Sequence, residues 1–193
     1  MHSRSGFTLI EMLVVLSIMV LFSTIVILYG HAGQSTVALS VEEANISQLI
    51  LKAKGLSINT YSSVGLGCGD GVNFNFASGT YSLFVYSPSW NGNVCPSYAS
   101  TTAHGISLAD MQPYDTQSWQ QPMAQGLIME TSSPEALADI LFYPPEPATL
   151  ISRDGQTWFF SNPPQDSNIY LQTVTGNSSA TISVSPTGQV SVQ

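Results

Sequence analysis

"GFTLIEMLVVLSIMVLFSTIVILY", residues 6–29, decides how the rest of the chain is read. From Phe7 to Tyr29 only Thr8, Glu11, Ser17, Ser23 and Thr24 are not apolar, and neither proline nor glycine interrupts the run. The stretch is predicted as one continuous helix. At the usual rise it is about 35 Å long, enough to cross a hydrocarbon layer about 30 Å thick. Arg4 and the chain amine are the positive charges on its short side, which places residues 1–6 in the cytoplasm and the remainder outside. Glu11 is the anomaly. A carboxylate in a hydrocarbon span costs roughly 2.5 kcal/mol or more on insertion scales, so its position needs a specific reason.

A conventional secretory signal has a basic region, a short apolar core and then a small-residue cleavage site. Here the apolar run is long, and "YGHAGQSTVAL" after it offers only a poor site around Ala32 and Gly33. The small residue lies ahead of the run, at Gly6. Cleavage there would leave Phe7 as the new amino terminus and keep the helix on the mature protein.

"GFTLIEMLVVLSIM", residues 6–19, resembles the class III signal of type IV pilins and pseudopilins: a short basic leader, Gly, Phe-Thr-Leu-Ile-Glu, then a long apolar helix. The resemblance implies that Gly6 ends the leader, that Phe7 is the cleaved and N-methylated first residue, and that Glu11 is the assembly glutamate facing the methylated amine of the next subunit. It also implies partners: other pilin or pseudopilin subunits, a prepilin peptidase/methyltransferase, an inner-membrane assembly platform and membrane lipid. The protein is then expected first as a single-pass cytoplasmic membrane protein with its carboxyl-terminal domain outside, and later in an extracellular or periplasmic filament. Many pilins carry a helix-loosening glycine and proline within the apolar half. Here the first flexible points are Gly30 and Gly33.

"QSTVALSVEEANISQLILKAK", residues 34–54, continues the helix with two apolar stripes. At 100° per residue Val37, Val41, Ala44 and Leu51 form a narrow one, and Ala38, Leu39, Ile46, Leu49, Ile50 and Ala53 a broader one. An irregular core helix is one reading. The pilin resemblance implies instead that one stripe packs on the chain's own sheet and the other meets neighbouring subunits. Lys52 and Lys54 suit a helix carboxyl end, and Gly55 is the predicted stop.

Beyond Gly55 the pattern changes to short alternating runs between turn residues. Predicted strands are 72–76, 80–86, 126–130, 139–143, 157–161, 169–173, 180–184 and 189–193, bounded by "CGDG", "ASGT", "PPEP", "RDGQ", "NPPQ", "TGNSS" and "SPTGQ". Residues 87–125 are less regular, with a short helix expected at 107–111. The fold class is therefore α+β, a long amino-terminal helix packed on an antiparallel β-sheet or β-sandwich. The organisation is a leader at 1–6, a transmembrane half-helix at 7–30, an amphipathic half-helix at 31–55 and an exported β-rich domain at 56–193. The block from Ile140 to Gln193 is also similar to the minor pilins of the H-type pseudopilin and T-type fimbrial group, in which a Pro-containing loop precedes strands ending on a "tGqv" hairpin.

Only 8% of the 193 residues are charged, with 4 basic against 12 acidic. Arg4, Lys52, Lys54 and Arg153 are too few and too scattered to neutralise a row of phosphates, so nucleic acid is not predicted as a partner of this subunit alone. Cys68 and Cys95 are candidates for a disulfide closing a loop of about 28 residues, worth about 3 kcal/mol if the domain reaches an oxidising compartment; free thiols are the alternative. Their spacing does not suit a metal site. "GLGCGDG" at 65–71 lacks the Lys-Ser/Thr ending of a phosphate loop. Asp70, Asp154 and Asp166 lack the dense spacing of a calcium loop. His104 sits in no nucleophile motif, and Trp90, Trp119, Tyr98 and Tyr114 are read as loop anchors or partner contacts. No cofactor, metal or catalytic residue is assigned, and no enzyme activity is predicted. The expected function is a structural, minor subunit of a type IV pilus or type II secretion pseudopilus. The alternatives are a major pilin and a signal-anchored surface binding module that does not polymerise.

Overall fold

In the computed structural model, residues 8–60, 67–88, 95–97, 101, 106–114, 120–130, 136–144, 148–153, 158–159 and 167–193 are described. The chain divides into two compact units, Met1–Val37 and Ala38–Gln193. Helix α1, Leu9–Thr60, contributes to both.

Among the described residues the first unit is helical from Leu9 on. Its stretch Leu9–Ile27 has a mean hydropathy of 2.6 and none of it is buried within the protein. Besides Glu11, its polar interruptions are Ser17, Ser23 and Thr24. Each hydroxyl donates to the carbonyl four residues back, on Leu13, Met19 and Val20, at 2.7, 2.8 and 2.8 Å. Their hydrogen-bonding capacity is thus met inside the helix, as a lipid environment requires.

The second unit pairs the rest of α1 with two antiparallel sheets. The larger sheet is built from β1 (Asp70–Asn75), β2 (Thr80–Tyr86), β3 (Met111–Pro113), β4 (Gln120–Pro122), β6 (Asp139–Tyr143), β7 (Ala148–Ser152) and β8 (Trp158–Phe159). Its order is β3-β2-β1-β6-β7-β8, with β4 also pairing β2. The smaller sheet contains β5 (Leu127–Glu130), β9 (Ser167–Thr173), β10 (Ser179–Val184) and β11 (Val190–Val192), in the order β11-β10-β9-β5.

The period-two alternation of the strands explains how one sheet serves two cores. Val72, Phe74, Tyr81, Leu83, Ile140, Phe142 and Ile151 point into a core shared with Leu39, Ile46, Leu49, Ile50 and Ala53 of α1 and with Ile169, Leu171 and Ile182 of the smaller sheet. The intervening residues Phe84, Tyr86, Leu141, Tyr143 and Leu150 meet Cys68, Ile106 and Trp158 on the opposite face. Strand β6 is buried along its full length for this reason. Gly71 lies between Phe84 and Leu141 in register, and a Cβ there would fall 2.4 Å from the Phe84 ring and 2.3 Å from the Ile140 carbonyl.

The broad stripe predicted on α1 is the buried one, and the narrow stripe is exposed: Val41 and Leu51 are 53% and 54% accessible. The helix does not stop at Gly55. It runs on to Thr60, because Leu56 packs on the core and the buried Ser57 hydroxyl donates to the Phe142 carbonyl at 2.6 Å. A helical glycine costs only about 1 kcal/mol, which these contacts exceed. Lys52 and Lys54 consequently precede the last turn, which has no basic residue. Lys54 instead donates to the carbonyls of Thr187 and Gly188 at 3.4 and 3.1 Å, tying α1 to the terminal hairpin.

The predicted strands match β1, β2, β5, β6, β9, β10 and β11 in position, and the short helix expected at 107–111 is a 3₁₀ turn at Leu108–Asp110. Strand 157–161 falls partly outside the described residues, and β8 is its described part. β7 was not anticipated, nor were β3 and β4 within the irregular 87–125 stretch.

Candidate functional site

The start of α1 sets Glu11, singled out by sequence, beside Thr8, to which the sequence reading gave no role. Thr8 precedes the first helical residue and Glu11 is the third residue of the helix. The Glu11 amide donates to the Thr8 hydroxyl at 3.4 Å, while Glu11 Oε2 accepts from the Thr8 amide at 3.3 Å and the Thr8 hydroxyl at 3.4 Å. This is a reciprocal capping box, satisfying amides that a helix amino terminus leaves without intrahelical partners. The box is written in the sequence as Thr-Leu-Ile-Glu, a signal that the reading of Glu11 by its charge alone passed over. The carboxylate also lies where the helix dipole is positive. Gly6 and Phe7, the expected cleavage junction, lie outside the described residues.

A second unanticipated residue is Glu42. It lies on the buried stripe of α1 and is 4% exposed. It hydrogen-bonds Tyr81 of β2, and burial, then that bond and the Glu42 charge, push the Tyr81 phenol well above its usual 10.0. Oε1 of Glu42 has no hydrogen-bond partner among the described residues. Its angular position, four residues before Ile46, was the available signal.

Cys68 and Cys95 are joined by a disulfide with a Cα–Cα separation of 5.1 Å. The Tyr143 hydroxyl donates to the Pro96 carbonyl beside it. The bond and the tyrosine together fasten residues 95–97 to the outer core around Tyr86 and Tyr143.

Asp70 is buried in β1, paired in register with Val85 and Phe142. Asp154, Asp166, His104, Trp90, Trp119 and Tyr98 lie outside the described residues, and Tyr114 is exposed. Among the described residues no three His, Cys, Asp or Glu side chains are grouped to hold a metal ion. What the arrangement can do is present a lipid-length apolar helix with a capped carboxylate at its start.

Residues 1–27 match the family model for the prokaryotic N-terminal methylation motif. No curated protein matches the chain. Among solved structures, the minor pseudopilin EpsH from the Type 2 Secretion System of Vibrio cholerae is similar over 80% of this chain and 95% of that one, with 9% identity and a TM-score of 0.44. The methylation motif coincides with the capped apolar helix and precedes an antiparallel β unit. Residues 1–27 thus carry a prokaryotic N-terminal methylation motif, set on the capped start of an apolar helix long enough to cross a membrane.

Proposed function

We propose that the chain is a minor subunit of a type IV pilus or type II secretion pseudopilus, cleaved between Gly6 and Phe7, methylated at Phe7 and assembled through α1 with Glu11 facing the amine of the adjacent subunit. The observation that carries this reading is the methylation motif over residues 1–27, placed on a helix that nothing in the chain buries. Arg4 on the short side favours a cytoplasmic amino terminus and an exported carboxyl-terminal unit. The Cys68–Cys95 disulfide suits that export, since such bonds persist in oxidising compartments. Prepilin peptidase/methyltransferase and other pilin-type subunits are the partners of the class; an inner-membrane platform and lipid complete the proposed pathway. The resemblance of the carboxyl-terminal block to H-type subunits favours the minor position, and scarcity in sheared filaments tests it against a major pilin.

Mass spectrometry of the mature amino terminus is the test of processing, with methyl-Phe7 as the expected species. Glu11→Gln then separates the two roles of the carboxylate. Glutamine at the third helical position still closes a capping box, so the helix should insert normally. Without the charge, incorporation into filaments should fall by at least about tenfold, the consequence of losing about 1.4 kcal/mol or more of ion pairing. Wild-type behaviour of Glu11→Gln would reject assembly through the carboxylate, and no change is also what a surface module that does not polymerise predicts.

A further inference from the structure

The "GCGDG" end of the glycine-rich stretch, residues 67–71, is shaped for close approach. Gly67 has a φ of +121°, and a Cβ there would run into the Val85 side chain; a Cβ on Gly69 would fall 2.6 Å from the Phe142 carbonyl oxygen. Between them Cys68 donates its amide to the Tyr86 carbonyl at 2.6 Å, and the Gly69 carbonyl accepts from the Tyr86 amide at 2.8 Å. Cys68 is thereby locked beside β2 and β6, 6% exposed, in the outer core with Phe84, Leu141 and Trp158. Its bonded partner is placed differently. Cys95 and Ser97 are exposed on either side of the buried Pro96, whose carbonyl accepts from the Tyr143 hydroxyl. One sulfur is built into the sheet, and the other is carried on an outer segment fastened over it.

Access decides which sulfur of a pair exchanges with an outside thiol or disulfide. We infer that Cys95 is the exchange sulfur of this pair and Cys68 the ring-closing one, so that the bond is installed after β1, β2 and β6 have formed, by the disulfide of a thiol–disulfide oxidoreductase. The Cys95 thiolate, its proton lost to solvent, attacks one sulfur of the oxidoreductase's disulfide; that S–S bond breaks and its other sulfur leaves as a thiolate. The Cys68 thiolate, likewise deprotonated, then attacks Cys95 Sγ. The mixed disulfide breaks, and the oxidoreductase departs as the dithiol with the two electrons. Tyr143 is a positioning residue for the second step, because its bond to Pro96 keeps Cys95 over Cys68. In reverse, an attacking thiolate enters at Cys95 and displaces Cys68, which stays within reach to close the ring again. The inference takes its oxidant from the export proposed above, and adds the order of the steps and the sulfur at which each occurs.

The test uses the full chain, purified in detergent, reduced and exposed to oxidised glutathione, with acid-quenched samples read by peptide mass spectrometry. Wild type, which needs no substitution, should pass through a glutathione adduct on Cys95. That adduct should persist in Cys68→Ala. In Cys95→Ala, adduct formation on Cys68 should be at least about tenfold slower, and the two rates should converge to within about twofold in denaturant. Near-ultraviolet circular dichroism checks that each reduced variant is folded. Tyr143→Phe keeps both cysteines: it should leave the rate of adduct formation on Cys95 unchanged and lengthen the life of that adduct several-fold, a split that reduced stability alone does not give. In intact cells carrying an exported oxidoreductase stripped of its resolving cysteine, a trapped adduct should form with Cys68→Ala and not with Cys95→Ala. A first adduct on Cys68, equal rates at both cysteines in folded protein, or trapping of both variants or neither in correctly cleaved protein would overturn the inference. Uncleaved protein left reduced in cells, with the asymmetry intact in the purified chain, would instead overturn the export beneath it.

Discussion

Tyr81→Phe removes one atom from the interior and exposes how the helix is held to the sheet. The phenol is 2% exposed and hydrogen-bonded to Glu42, a carboxylate that is itself 4% exposed. Loss of the hydroxyl leaves a buried acceptor without this donor, a cost of about 1–3 kcal/mol that is larger for charged groups than for neutral ones. Taking about 2 kcal/mol, and about 2–4 °C per kcal/mol for a chain of this size, the melting midpoint should fall by about 4–8 °C. Near-ultraviolet circular dichroism on the full chain in detergent reads it. Pairing Tyr81→Phe with Glu42→Leu removes donor and acceptor together, and the double variant should recover to within about 1 kcal/mol of wild type. The pH dependence follows from the raised phenol. The folded protein keeps the Tyr81 proton where the unfolded chain, with its usual value of 10.0, releases it. The contribution is complete below pH 10 and is lost as the pH rises further, so the gap between wild type and Tyr81→Phe narrows there. An unchanged midpoint in Tyr81→Phe, or a double variant worse than the sum of the singles, would refute the coupling.

Gly188→Ala should destabilise the terminal hairpin by about 1–3 kcal/mol, since Gly188 has a φ of +69° and a Cβ would lie 2.7 Å from Thr149 Oγ1 and 2.9 Å from the Phe142 ring. The expected sign is a lower denaturant midpoint at unchanged slope. Cys95→Ser should cost about 2–4 kcal/mol by freeing the loop that the disulfide closes, read as a lower midpoint that reducing agent does not lower further, while wild type falls to meet it under reduction.

The strands that could be read from sequence are those whose side chains alternate against a core. Strand β2 shows this best: Thr80–Tyr86 is bounded by "ASGT" on one side and Ser-Pro on the other, and its bounds match the prediction. β3 and β4 are three residues each, carry proline and are largely exposed, so they hold no hydrophobic period. They exist because β2 offers free edge groups to Met111–Pro113 and Gln120–Pro122. β7 follows directly on "PPEP", and its Ala148, Thr149 and Ser152 look like loop composition; pairing with β6 from Asp139↔Ser152 to Tyr143↔Ala148 makes it a strand. The end of α1 was similarly set by tertiary contacts. Gly55 signals a stop locally, and the Ser57 bond to Phe142, 85 residues away in sequence, overrides it. The exposed stripe of α1 was legible from angular spacing.

The capping box changes the meaning of Glu11. A carboxylate at the centre of a membrane helix costs about 2.5–3.5 kcal/mol, and less toward the end, where Glu11 lies. A good cap is worth about 1 kcal/mol and a favourable dipole position about 0.3–1 kcal/mol more. These are comparable, so the free subunit tolerates Glu11 without any cation. Insertion into lipid is then not what demands a partner charge. Both bonds from Thr8 fall on Oε2, and a carboxylate accepts about four hydrogen bonds, so the box and an incoming amine can share the group. Under the proposed assembly the amine's attraction acts on a side chain already fixed in position by Thr8. A fixed charge fixes where the next amine must sit, and with it the axial step between subunits. Thr8 then does for the contact what a second hydrogen bond does for any functional carboxylate: it turns an attraction into a register.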